Sequence, residues 1–117
     1  MANTLFFTVS GATLALLNAV TSTGAGTNIW GGRKEAGGYQ QKYTWQTVVT
    51  GSPASVSVKL EGSLDGDNWY ALDTSSNVSG ELRAVVNSPV AFVRGNLATL
   101  TGGSSPSVTV LFMAVAP

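Results

Sequence analysis

Apolar and polar residues alternate with period two along most of this chain, and clusters of Gly, Pro, Asn, Asp and Ser interrupt the alternation at short intervals. That is the pattern of short antiparallel strands. It is clearest over residues 54–60, where Val56, Val58 and Leu60 point one way and Ser57 and Lys59 the other. The segment runs on through Glu61 to Leu64 into the turn Asp65-Gly66-Asp67-Asn68, after which Trp69, Tyr70 and Leu72 resume an extended apolar run. The pair predicts a β-hairpin.

A second hairpin is predicted from residues 90–100 and 107–115, joined by Thr101-Gly102-Gly103-Ser104-Ser105-Pro106. In its last strand Val108, Val110 and Phe112 occupy one face and Leu111, Met113 and Val115 the other. Such a strand is expected to be central and covered on both sides, a neighbouring subunit being one candidate cover. In its partner the alternation is disturbed at Arg94-Gly95-Asn96, where a glycine inside a strand marks a bulge or a close backbone approach.

Further strands are predicted at residues 5–9, 39–49 and 81–86, while residues 13–20 hold good helix formers yet also fit a strand. Seven or eight short strands in one domain spanning residues 1–117 predict an all-β fold, an antiparallel β-sandwich or a jelly-roll-like barrel. The exception is residues 21–38, where Gly24, Gly26, Gly31, Gly32, Gly37 and Gly38 accompany Ile29, Trp30 and the triplet Arg33-Lys34-Glu35. A Gly-rich loop or arm is expected there. Its Trp30 either docks onto another chain or folds back as a lid on its own core.

Composition narrows the chemistry. With 117 residues, 44% of them hydrophobic, the chain can bury one core unaided. It has no cysteine and no histidine, which removes thiol nucleophiles, Cys/His zinc sites, imidazole acid/base chemistry and disulfides together. Six basic and six acidic residues cancel, so no basic excess points to nucleic acid or an anionic membrane as a partner. Only 10% of residues are charged, against about 25% in an ordinary soluble domain. Spread over roughly 6,000 Å² of surface, that is about one charge per 500 Å². Such a surface favours association with copies of itself or with a partner.

Leu5, Phe6, Phe7 and Val9 give the N-terminus an apolar look, but no Lys or Arg precedes Arg33, so the positive region of a signal peptide is missing. No stretch reaches the ~18 apolar residues of a membrane span. The chain is expected to be made and kept inside the cell until it is assembled or released, and the sequon Asn77-Val78-Ser79 then has no role.

No motif points to a cofactor or a metal. Asp65-Gly66-Asp67 superficially resembles a calcium loop, but counting from Asp65 puts Tyr70 and Ser76 where an EF-hand needs glycine and a carboxylate. Glu61 with Asp65 or Asp73 could form a carboxylate pair for glycoside hydrolysis; surface solvation is the simpler role. Gly24 and Gly26 are followed by Ile29 where a dinucleotide fingerprint needs glycine. Tyr39, Tyr43 and Trp45 share one strand face, either as a stacking platform for sugars or single-stranded nucleic acid or as core and interface packing.

The run Ser57-Val58-Lys59-Leu60-Glu61-Gly62-Ser63-Leu64-Asp65-Gly66-Asp67-Asn68-Trp69 resembles a segment of small β-sandwich virion proteins of tailed bacteriophages. Val93-Arg94-Gly95-Asn96-Leu97 and Leu100-Thr101-Gly102-Gly103 are similar to its usual companion. The stretches that carry this resemblance lie within residues 57–103 and include no catalytic residue. It implies a structural virion protein without enzymatic activity, made in the host cytoplasm. Within the virion it implies a capsid decoration (cement) protein on the shell of the major capsid protein, or a neck, tail or fibre component. A trimer or other cyclic oligomer is expected. Residues 21–38 fall outside the shared pattern. The expected contact residues are Trp30, Arg33 and Lys34 on the arm, with Phe6 and Phe7 near the N-terminus. Two rivals are a carbohydrate- or receptor-binding module using Trp69, Tyr70 and the Tyr39/Tyr43/Trp45 face, and the small hydrolase.

Overall fold

The structure is a computed structural model and describes residues 3–6, 13–31, 42–86 and 90–115. Nine strands are seen among these residues: β1 (Asn3–Phe6), β2 (Thr13–Val20), β3 (Gly24–Gly31), β4 (Lys42–Thr50), β5 (Ser55–Ser63), β6 (Tyr70–Ser75), β7 (Glu81–Val86), β8 (Phe92–Thr101) and β9 (Ser107–Val115). They form a five-stranded sheet in the order β1-β3-β8-β5-β6 and a four-stranded sheet in the order β2-β9-β4-β7. The two layers make a β-sandwich, as the period-two pattern predicts. All ladders are antiparallel except β1 with β3. These two strands are joined through β2 in the other layer, a crossover that parallel pairing requires.

The inward faces of both sheets meet in one apolar core that includes Leu16, Trp30, Tyr43, Trp45, Leu60, Val93, Leu97, Val110 and Phe112. Trp30 meets Tyr43 edge-on at 5.9 Å between ring centroids and Phe112 at 5.5 Å, and Tyr43 stacks on Phe112 at 5.7 Å. Burying side chains of this size contributes on the order of 1.5–3 kcal/mol each. The phenol oxygen of Tyr43 accepts a hydrogen bond from the Val90 amide (3.2 Å). Among the described residues, every buried side-chain nitrogen and oxygen has a partner.

Two sequence expectations are corrected, and one left open is decided. The hairpin expected between residues 90–100 and 107–115 does not form, because β8 and β9 lie in different sheets: β8 pairs with β3 and β5, β9 with β2 and β4. The linker between them crosses the layers, turning through positive φ at Gly102, Gly103 and Ser105 and tied down by the Ser104 amide on the Gly51 carbonyl (2.8 Å). Residues 13–20 settle as strand.

The second correction falls on the expected Gly-rich arm, whose residues 24–31 form β3 in the sheet. Here glycine serves close approach. A Cβ at Gly26 would sit 2.5 Å from the Leu16 carbonyl oxygen and 2.7 Å from Leu17 Cδ2, so only glycine lets β3 pass β2 at that distance. Residues 32–38 lie outside the described residues. Gly95 plays the same part in β8, facing inward where a Cβ would meet Leu17 Cγ at 3.0 Å. The hairpin β5–β6 forms as expected, paired from Val58 with Ser75 to Gly62 with Tyr70 and carrying one bulge.

Candidate functional site

Of the contact residues expected from the sequence, Trp30 is a core residue, 4% exposed. Its cross-strand neighbour is the buried Val93, and residues directly opposite in a sheet share a face. An outward Trp30 would require β3 to slip by one residue. Phe6 contributes a backbone position opposite Gly31, while Phe7, Arg33 and Lys34 lie outside the described residues. Of the two readings of the aromatic face, packing holds for Tyr43 and Trp45, which point inward and are each 1% exposed, and Tyr39 lies outside the described residues.

The carboxylates are tied to the fold. Glu61 lies on the outer face of the five-stranded sheet, where its Oε1 accepts from Arg94 Nε (2.8 Å) and its Oε2 from Asn96 Nδ2 (3.1 Å). Arg94 in turn lies over the Trp69 ring, 4.3 Å from its centroid, a cation–π contact. The two stretches that carry the virion-protein resemblance therefore meet: Glu61 and Trp69 from the hairpin grip Arg94 and Asn96 from β8. Neither the pairing nor its register can be read from the sequence, because Glu61 and Arg94 are brought opposite each other only by the β5–β8 ladder.

Asp65 folds back into its own turn. Its Oδ1 accepts from the Asn68 amide (2.9 Å), the Asp67 amide (2.8 Å) and the Ser63 hydroxyl (2.9 Å), and its Oδ2 from Asn68 Nδ2 (2.7 Å). These bonds, led by the Asn68 amide, hold its carboxyl well below the usual carboxylate range. Asp73 closes the open side of the sandwich. It takes Arg83 in a two-point grip, Oδ2 to Nε at 2.8 Å and Oδ1 to Nη2 at 2.9 Å, and also accepts from the Trp45 indole (3.0 Å). Arg83 also reaches Glu81 (3.3 Å), whose other oxygen accepts from Ser75. The edge strands β6 and β7 of the two sheets are clipped together in this way. Burial pushes the Asp73 carboxyl up, but the hydrogen bonds from Arg83, Trp45 and the Thr74 amide and the Arg83 charge outweigh it and hold the group below its ordinary value.

Of the carboxylate pairs the sequence offered, Glu61 and Asp73 do not converge. Asp73 is the cross-strand neighbour of the fully buried Leu60, so it lies on the core side of its sheet, whereas Glu61 lies on the solvent side. The two carboxylates face no common gap.

The outer face of the four-stranded sheet is of another kind. Cross-strand rows place Thr13, Met113, Thr44 and Ala84 together, then Ala15, Leu111, Gln46 and Leu82. Val86 and Val48 extend the apolar surface, and Leu82 is 69% exposed. Among the described outward residues of this sheet the one charge is Lys42. The central strand β9 thus has one face on the core and the other, with Leu111 and Met113, half-buried at the surface. Its second expected cover is absent within the described chain.

No protein-family model matches the sequence, and no curated protein matches it significantly. Solved structures do match the fold. The SPBc2 prophage-derived protein YomS is 19% identical with a TM-score of 0.59, over 92% of this chain and 94% of that one. The PBSX exported protein XepA is 16% identical with the same TM-score, again over 92% of this chain, but the matched part is 38% of XepA. At these identities the likeness is one of fold.

Proposed function

We propose that the protein is a non-catalytic structural subunit of a tailed-phage virion. In this reading it is a capsid decoration protein that assembles with its own copies into a trimer or another cyclic oligomer and seats on the outside of the major capsid protein lattice, stabilising it. The observation that carries the reading is the outer face of the four-stranded sheet, with Leu82, Val86, Leu111 and Met113 at its surface and Lys42 its one described charge. Apolar side chains grouped on one sheet face suit an interaction site. The occurrence of the same fold in two prophage proteins supports the phage setting. The occupied carboxylates Glu61, Asp65 and Asp73 support a role without catalysis.

Magnitudes bear on the kind of assembly such a face supports. Four strands ~4.8 Å apart, with about seven residues each at ~3.3 Å, present roughly 400 Å². That is about half of the ~800 Å² each partner gives to a standard interface. One such contact is weak, and repetition around a ring or over a lattice supplies the rest. Arg33, Lys34, Phe6 and Phe7 remain proposed as additional contacts on sequence grounds.

The test is cryo-electron microscopy of particles assembled with and without the protein, paired with their thermal rupture. Density at lattice positions outside the shell, and earlier rupture without it, are expected. Density confined to the neck, tail or fibre would replace decoration by that role, and absence from particles would overturn the virion reading.

A further inference from the structure

The β5–β6 hairpin ends in a cavity of about 370 Å³ whose walls include Leu64, Tyr70, Leu72 and Val90 and whose rim carries Asp65 and Asn68. We propose that this notch binds a neutral carbohydrate, with one sugar ring lying on Tyr70. The site is separate from the apolar sheet face and does not depend on the assembly proposed above.

Four observations meet here. The volume lies at the lower end of the range of small-ligand sites, about 300–1,000 Å³. The hollow exists because residue 62 is glycine: a Cβ there would lie 2.9 Å from Leu72 Cδ1 and 3.1 Å from Val90 Cγ1, so any larger side chain would be driven among the cavity's own walls. Tyr70 stands opposite Gly62 in the ladder and is 73% exposed, and Leu64 beside it is 77% exposed. Both line the same hollow, which singly scattered surface apolar residues do not do. Finally, the rim is built before any ligand arrives. Asn68 is held by its Nδ2 on Asp65 (2.7 Å), and the Ser63 hydroxyl accepts the Gly66 amide (2.9 Å), which leaves Asn68 Oδ1 without a partner among the described residues.

The chemistry of that set selects the ligand class. An aromatic face takes the C–H side of a pyranose, and the carbonyl of Asn68 accepts from its hydroxyls. The charges on the adjoining turn are the carboxylates Asp65 and Asp67, with no cation among the described residues that line the cavity, so phosphorylated or acidic sugars are repelled and donor-rich neutral ones favoured.

Saturation-transfer NMR of the full chain with glucose, galactose, mannose and N-acetylglucosamine tests this, with glucose 6-phosphate and glucuronic acid for comparison. At least one neutral sugar is expected to bind and to outcompete its acidic counterparts. Tyr70→Ala should weaken that binding on the order of tenfold, the scale of one lost aromatic contact, while Tyr70→Phe retains it. Because Tyr70 is exposed, the melting temperature of either variant should match the parent, which separates lost binding from lost fold. No binding by any neutral sugar overturns the proposal, as does binding indifferent to Tyr70→Ala. Capture of a leucine-containing peptide in place of sugar would assign the notch to a protein partner and likewise overturn it.

Discussion

The outer faces of the two sheets differ in how their surface is satisfied. On the five-stranded sheet Glu61 takes Arg94 and Asn96, and Arg94 lies on Trp69. On the four-stranded sheet the outward residues of β7, with Leu111 and Met113 of β9, are apolar, and their one described charged neighbour is Lys42. The first face is complete within one chain. The second leaves Leu82 and Val86 in water, and a second molecule can improve on that. Substitutions on the first face, or in the core beneath, should therefore act on folding, and those on the second on association.

The largest expected effect belongs to neither face. Trp30→Ala should cost about 3–5 kcal/mol in denaturant unfolding, as truncation of a buried Trp does; a loss below about 1 kcal/mol would return Trp30 to the role of an exposed contact. On the five-stranded face, Glu61→Ala strands Arg94 half-buried without its carboxylate and should cost about 2–3 kcal/mol with no change in oligomeric state. Equal stability of parent and variant, measured by chemical denaturation, would show that the grip contributes nothing.

The clip between β6 and β7 gives a pH dependence with a definite sign. Asp73 has a lowered value in the folded chain relative to its ordinary 3.8, so its contribution is present above that value and is lost as pH falls through the folded one. Thermal melts should be flat between about pH 5 and 8, since the chain has no histidine, and should fall below about pH 4. Asp73→Asn should reduce the acid limb, leaving the part that Asp65 contributes, and cost about 1–2 kcal/mol at neutral pH. The smallest effect on folding is expected from Leu82→Asp, within about 0.5 kcal/mol, though the same change should abolish association.

What the sequence disclosed, and what it withheld, follows from how strands pair. Alternation within a strand is local, so the bounds 81–86 and 107–115, the β5–β6 hairpin and the inward set Val108, Val110 and Phe112 were legible. Partnership between strands is not local. The linker after Thr101 is long enough either to turn a hairpin or to cross the layers, and only the ladders of β8 with β3 and β5 decide. β3 was hidden for a related reason: glycine lowers strand propensity, and its purpose at Gly26 is visible only against Leu16 and Leu17. The grip of Glu61 on Arg94 needed the register, although both residues stood within the motif that resembles phage virion proteins.

Light scattering behind a sizing column, across a concentration range, on the parent chain and Leu82→Asp, tests the account most directly. The account expects a discrete small oligomer for the parent and a folded monomer for the variant with an unchanged melting temperature. A parent that stays monomeric at high concentration, or a variant that assembles as the parent does, would contradict it.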